Sequence, residues 1–479
     1  MKLAVGGWRL VSGRAAAAGL GLALLLTGGC KTATPPAPAL APLPPAFKEN
    51  ADWKAAAPAD HVVKGAWWTV FGDPQLDALE AQIEISNETL RAQQARFLQA
   101  RAAVNIARAG KYPLVTTTPA ITTGEQSGTR SGAVSHTRVT DAILPVDFSY
   151  EADVWGRVSH GIAAARAEAR ASAADLESVR LSLHAELALD YFELRGIDAE
   201  RAILDGSVTA LERALELTRN RFAGGIASQA DVALSETQLE STRAQAIDVG
   251  ARRAALEHAI AVLVGKAPAA FQIAASPLTD PPPDIPAGLP SDLLERRPDI
   301  AAAERRVEAA SAQVGVANAA FFPRLLLTAS AGFESRSLAS WLTGLSTFWS
   351  AGPAAAATLL DGGRRRAVSA QAMAAYDESV AVYKSTILQS LQDVEDSLAA
   401  LRVLRQEADV QASAVAAAER ALTLANNRYR GGVTSYLEVL AAQSAALSNR
   451  RAASGVLARR LAASVLLVKA LGGGWTATP

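Results

Sequence analysis

Two short stretches gather the residues most able to do chemistry. RFAGGIASQAD (Arg221 to Asp231) and RYRGGVTSYLE (Arg428 to Glu438) each run arginine, aromatic, Gly-Gly, serine, acid, and they stand 207 residues apart (428 − 221). Ser228 with Asp231, and Ser435 with Glu438, have the S-x-x-[DE] spacing that starts a helix. Ahead of them, Gly224-Gly225 and Gly431-Gly432 supply left-handed conformations that end one. The chemistry on offer is electrostatic. Asp231 and Glu438 either act as capping-box partners, or project into a lumen where symmetric copies make rings of negative charge. Arg221, Arg428 and Arg430 either complement the dipole of a last helical turn or pair with those acids and hold them.

Covalent and metal chemistry find no footing in the pattern. The five histidines (His61, His136, His160, His184, His258) are scattered without ligand spacing. No nucleophile elbow occurs, and the Gly-Gly turns lack the GK[ST] that phosphate binding needs. Lys+Arg and Asp+Glu are both 47, so nothing in the net charge draws the chain to nucleic acid. The expectation is a non-enzyme without metal or diffusible cofactor. Arg296-Arg297-Pro298-Asp299, superficially an anion site, reads as a helix start with local pairing.

The elements that must position the two turns are long helices. Leu194, Ile197, Arg201, Leu204, Val208, Leu211, Leu215, Thr218 and Phe222 alternate spacings of three and four. Leu401, Leu404, Ala408, Gln411, Val415, Ala418, Leu422, Ala425 and Tyr429 repeat them in phase. That is the seam of a left-handed coiled coil. One helix is expected from Pro74 to about Ala109. Another runs from about Arg157 to Phe222, roughly 100 Å if unbroken, with Gly196 and Gly206 as candidate interruptions. KYPLV and WGR return as FFPRL and GGR, so the duplication takes in both halves.

Extended segments complete each half. In LPVDFSYEADV, Leu144, Val146, Phe148, Tyr150, Ala152 and Val154 alternate with Pro145, Asp147, Ser149, Glu151 and Asp153. RLLLTASAGFE places Leu325, Leu327, Ala329, Ala331 and Phe333 on one side. VTTTPAITT and STFWSAGPAAAATLL, with weaker alternation, make two pairs. About ten residues of alternating polarity mark a transmembrane β-strand. Four strands cannot enclose a pore, and an open sheet edge cannot sit in lipid, so several chains must close the barrel together. Trp341 and Trp349 fit an interfacial belt, Trp67 and Trp68 packing anchors.

Residues 1–29 read as an export signal, with basic residues ahead of a short apolar run. The sole cysteine, Cys30, sits where bacterial lipoproteins are acylated, although Thr27 stands where such boxes usually carry Leu. Lys31 after it favours the outer membrane by the same resemblance. The expected layout continues with a lipid-anchored Pro/Ala linker (30–66), a first repeat (67–265), a Pro-rich connection (266–290), a second repeat (291–474) and a tail (475–479).

WWTVFGDPQLDALEAQ, the block LLERRPDIAAAERRVEAASAQVGVANAAFFPRL and the two Gly-Gly segments resemble the TolC/OprM outer-membrane efflux family, in its RND-associated, NodT-type lipoprotein branch. The resemblance spans roughly Trp67 to Gly474. It implies an all-α coiled-coil tunnel plus a transmembrane β-barrel, with tandem duplicated halves giving four strands per chain to a trimeric twelve-stranded barrel. It also implies a homotrimer in outer-membrane lipid, a periplasmic adaptor meeting the turns at Gly224, Gly225, Ser228, Gly431, Gly432 and Ser435, and an inner-membrane RND-type pump. Glu438 aligns with an acid that narrows the family's closed mouth; a second such acid falls at Ala441. The expected function is the exit duct of a tripartite efflux system. The alternatives are the duct of a type I secretion or metal-efflux assembly, or a non-conducting lipid-anchored coiled-coil scaffold, which needs no strands.

Overall fold

A computed structural model describes residues 33–36, 46–50, 65–125, 138–278, 281–283, 285 and 297–473. The signal, Cys30, much of the linker, Leu293 to Arg296 and the 475–479 tail lie outside these residues. The chain divides into two compact units. One takes in the described parts of 1–39, 98–171 and 304–382; the other takes in those of 40–97, 172–303 and 383–479.

In chain order the helices are α1 (Pro74–Ser86), α2 (Glu88–Ala109), α3 (Arg157–Ala223), α4 (Gln229–Leu263), α5 (Pro298–Ala319), α6 (Arg364–Arg430) and α7 (Tyr436–Ala470). The strands are β1 (Leu114–Thr116), β2 (Ala120–Glu125), β3 (Arg138–Ala152), β4 (Arg324–Ser335) and β5 (Thr347–Ala356). The duplication is written into the lengths: α3 and α6 both have 67 residues, α4 and α7 both 35.

The first unit contains the sheet. Its order is β1/β2–β3–β4–β5, antiparallel throughout. β1 and β2 pair with β3 in one continuous register, Leu114 opposite Ser149 and Ala120 opposite Ile143, so they are one strand interrupted at 117–119. The interruption contains Pro119 and faces Pro145, and neither proline has an N–H to donate to a ladder. Across β3, Pro145 meets Gly332, where a Cβ would come within 2.0 Å of the Leu144 carbonyl oxygen. Only glycine lets β3 and β4 approach there.

Residues directly opposite in an antiparallel pair share a face, so the register sorts the sheet. Phe148, Ala329 and Ala351 lie in one row, and Val146, Ala331 and Trp349 in the next. Tyr150, Leu327 and Pro353 form a third row on the same face. The other face carries Asp147, Ser330 and Ser350 in one row and Ser149, Thr328 and Gly352 in another. The apolar face is uncovered: Trp349 is 80% exposed and Val146 50%. Trp341 precedes β5 in a loop held by serine and threonine bonds, such as Thr343 Oγ1 to the Ser340 carbonyl at 2.8 Å.

Carboxylates turn strand into helix. Asp153 accepts from the Val158 and Ser159 amides at 2.8 and 2.7 Å, capping α3, while Glu151 takes two Arg157 bonds, both at 2.7 Å. Asp361 does the same for α6, through the Gly363 and Arg365 amides.

The second unit holds the principal core. Trp67, Trp68, Leu76, Ile83, Tyr191 and Val465 are among its buried members, so both tryptophans are packing anchors. The single helix expected from Pro74 to Ala109 is two. Asn87 is extended (φ −72°, ψ 118°), accepts from the Leu90 amide at 2.8 Å and donates to the Leu263 carbonyl at 2.8 Å. It caps α2 and ties the break to the end of α4. Conversely, α3 is not interrupted at Gly196 or Gly206. Gly196 instead admits α7, since a Cβ there would lie 2.9 Å from the Ala458 Cβ. Arg297 starts α5 as a paired group, bonded to Asp299 at 2.7 Å and Asp393 at 3.1 Å.

Candidate functional site

The two Gly-Gly turns close α3 onto α4 and α6 onto α7, and both turns lie within the second unit. Both helix ends are Schellman motifs. Ile226 N–H bonds the Arg221 carbonyl at 2.8 Å and Gly225 N–H the Phe222 carbonyl at 2.9 Å; Val433 and Gly432 repeat this with Arg428 and Tyr429. Only the second glycine of each pair is left-handed, Gly225 at φ 73° and Gly432 at φ 75°. Gly224 and Gly431 do not share that conformation, contrary to the reading of both glycines as left-handed.

Beyond the turns the repeats diverge. Ser228 and Asp231 form a complete capping box, the Asp231 carboxylate accepting from the Ser228 amide at 2.9 Å. Ser435 makes no side-chain cap, although its spacing to Glu438 is the same. Glu438 instead accepts from the Thr434 hydroxyl and pairs with Arg428 at 2.8 Å. Thr434, absent from the first turn where Ala227 stands, competes for the carboxylate and leaves Ser435 without its partner.

The arginines also part ways. Arg221 does not reach Asp231. Its Nη1 donates to the Tyr429 carbonyl at 2.8 Å, and its guanidinium lies 4.6 Å from the Tyr429 ring centroid. Arg221 therefore satisfies a carbonyl at the end of α6, linking the first hairpin to the second. Tyr436 returns the link, its hydroxyl bonded to Ser235 Oγ on α4 at 3.1 Å. Tyr429 and Tyr436 meet edge to face at 5.5 Å inside a small apolar cluster with Ala425 and Val439. Arg430 finds no acid among the described residues.

Farther from the turns, ion pairs join the helices of each hairpin as the duplication dictates. Glu200–Arg252 and Glu212–Arg243 in the first hairpin, both at 2.6 Å, recur as Glu407–Arg459 at 2.6 Å and Glu419–Arg450 at 2.8 Å. Each pair recurs at the 207-residue shift, a signal available in the sequence once the repeat is aligned. A third pair, Arg219–Glu236 at 2.5 Å, lies nearer the turn. Its counterparts are Asn426 and Gln443, so the second hairpin has no such pair. Arg451 adds a link between hairpins, bonding Glu200 at 2.5 Å and Gln245 at 2.9 Å. Exposed pairs of this kind contribute about 0–1 kcal/mol each. Their value is register, fixing which residues stand at the turns.

One polar site was hidden from sequence reasoning. His184 Nδ1 lies 2.6 Å from Glu80 Oε2, and the imidazole stacks on Trp68 at 4.3 Å. Burial pushes the Glu80 carboxyl up to about 7. Among the described residues no group of three or more His, Cys, Asp or Glu side chains could hold a metal ion, and no helix is long and apolar enough to cross a membrane.

The sequence matches the family of outer membrane efflux proteins over residues 79–266 and 289–473. The chain belongs to that family. It is 33% identical over 465 residues to the pyoverdine export outer membrane protein OpmQ of Pseudomonas aeruginosa, covering 95% of this chain and 96% of the relative. OprJ, an outer membrane protein of the same organism, is 34% identical over 419 residues, 85% of this chain and 86% of its own. The solved outer-membrane channel OprN superposes with a TM-score of 0.85 at 28% identity, over 94% of this chain and 99% of that one. The family resemblance seen in the sequence is borne out.

Proposed function

We propose that this efflux protein is the exit duct of a tripartite, RND-type efflux system, built from three copies of the chain. The observation that carries the reading is the sheet. One face is apolar and uncovered, the other polar, and β5 and the β1/β2 line have unpaired outer edges among the described residues. Lipid suits one face and a water-filled lumen the other, but unpaired edges are not tolerated in hydrocarbon. Copies joined edge to edge, β5 of one beside β1/β2 of the next, remove every edge; with three, the barrel has twelve strands. The relative OpmQ is a pyoverdine export protein, which supports small-molecule cargo here.

In this reading a periplasmic adaptor, itself coupled to an inner-membrane pump, meets the turns shaped by Gly224, Gly225, Ser228, Gly431, Gly432 and Ser435. Glu438 held by Arg428 and Asp231 held by its cap are the acids of the gate, and Arg430, without an acidic partner among the described residues, is its cation. Symmetric copies place these groups in rings, and the adaptor opens the mouth by competing for the bonds that join neighbouring turns. The protein is a passive duct, not an enzyme.

Cys30 is the proposed lipid anchor. Supporting this, the Ala33 carbonyl accepts from Asn318 Nδ2 at 3.1 Å and the Pro36 carbonyl from the Tyr376 hydroxyl at 2.6 Å. These bonds hold the described linker residues 33–36 against α5 and α6, close to where β4 begins. Native mass spectrometry of detergent-extracted protein tests stoichiometry and anchor together. Three chains starting at an acylated Cys30 are expected; an unacylated monomer, stable across concentrations, overturns the proposal.

A further inference from the structure

Between the hairpins, near the turns, lies a cavity of about 310 Å³ lined by α3, α6, α7 and Gln238 of α4. Its chemistry is one-sided. Three arginines line it, Arg213, Arg430 and Arg450, and no aspartate or glutamate does. Arg450 is neutralised by Glu419 at 2.8 Å, outside the lining. Arg213 and Arg430 have no acidic partner among the described residues. Among the lining residues, the Tyr429 hydroxyl and Gln443 Oε1 are both buried without a hydrogen-bond partner; only the hydroxyl, a donor on a residue 6% exposed, is of the kind an anion satisfies. Leaving such groups unpaired is costly. Ser207, Gln238 and Asn426 add neutral polar groups, and Leu211, Leu217, Val439 and Leu447 give the cavity an apolar wall.

We infer that this cavity is a binding site for a small aromatic carboxylate. Two uncompensated guanidinium groups at the rim suit an anion. The Tyr429 hydroxyl donates to a carboxylate oxygen, and the apolar wall takes a ring. The volume fits one such molecule, at the lower end of ordinary ligand sites. The site exists because the second hairpin has Asn426 and Gln443 where the first has Arg219 and Glu236. An ion pair there would fill the space and cancel the charge. An occupant touches both hairpins beside the Arg221–Tyr429 link, so binding favours the arrangement of turns seen here.

The same carboxylate chemistry could come from an acidic side chain of a second copy, and the test separates the two sources. Isothermal titration of the full-length protein in detergent would use 1-naphthoate as probe and 1-naphthamide as its neutral counterpart. Saturable naphthoate binding, weakened about tenfold by Arg430→Gln and by Arg213→Gln, reduced by Tyr429→Phe and weaker at high salt, is expected. Equal affinity for the amide, or naphthoate affinity unchanged in both arginine variants, overturns the inference. So does absence of saturable binding to the wild type, which assigns the cavity to a neighbouring chain's carboxylate.

Discussion

Ala329 and Ser330 sit side by side at the centre of the twelve-residue β4 and point to opposite faces of the sheet. Ala329 lies in the row with Phe148 and Ala351, Ser330 in the row with Asp147 and Ser350. Replacing each in turn by arginine holds depth and strand constant and changes only the face. On the Ala329 side the guanidinium must enter hydrocarbon, at about 2–4 kcal/mol near the bilayer midplane. That is roughly 30- to 900-fold in the inserted population. On the Ser330 side it meets water and the Asp147 carboxylate on the neighbouring strand, so a change within about 0.5 kcal/mol is expected. Refolding each variant into liposomes and measuring the protease-protected fraction reads the difference. Equal losses, or a larger loss for Ser330→Arg, would refute the assignment of lipid and lumen faces.

Three further outcomes follow from the turns and the core. Gly225→Ala forces an alanine into the left-handed region, where only glycine is at ease, and should destabilise the hairpin by about 1–2 kcal/mol; Gly224→Ala meets only ordinary contacts, the nearest 3.5 Å away, and should be neutral or stabilising in thermal melts. Ser228→Ala removes a working cap and should cost about 1 kcal/mol, whereas Ser435→Ala should be nearly silent; equal effects would contradict the divergence of the two turns. Burial holds the Glu80 carboxyl at about 7 against its usual 4.5, so the folded chain binds the extra proton and stability falls as pH rises from about 4.5 to 7. Glu80→Gln should flatten that part of the pH–melting profile, and an unchanged slope would assign the dependence to other groups.

Much of this architecture was legible because it is periodic. The 3,4 seam from Leu194 became a buried line on α3, with Leu204, Leu215 and Thr218 inside and only Phe222 largely exposed, at the helix end. The apolar set expected on β4, Leu325 to Phe333 by twos, is the set opposite the apolar side of β3. Features set by a single distant partner were not legible. Asn87 is unremarkable inside a helical pattern until the Leu263 carbonyl is placed beside it. Pro145 stays within its own strand and faces the gap at 117–119 in the neighbouring one. His184 and Glu80 are 104 positions apart in sequence. At the candidate gate, spacing alone could not separate the two turns: Thr434 diverts Glu438 from capping, and Arg221 serves the opposite hairpin. Which of those residues bond to one another depends on the neighbouring hairpin and on Thr434, and spacing carries neither.

The most direct test of the duct is conductance across a planar lipid bilayer. Purified protein should insert and give discrete channel events, small at rest. Arg221→Ala, which removes the link to Tyr429, should raise the open probability without changing the apolar face that holds the protein in lipid. A protein that stays with the membrane but produces no conductance in either form would contradict the channel and leave a lipid-anchored helical scaffold.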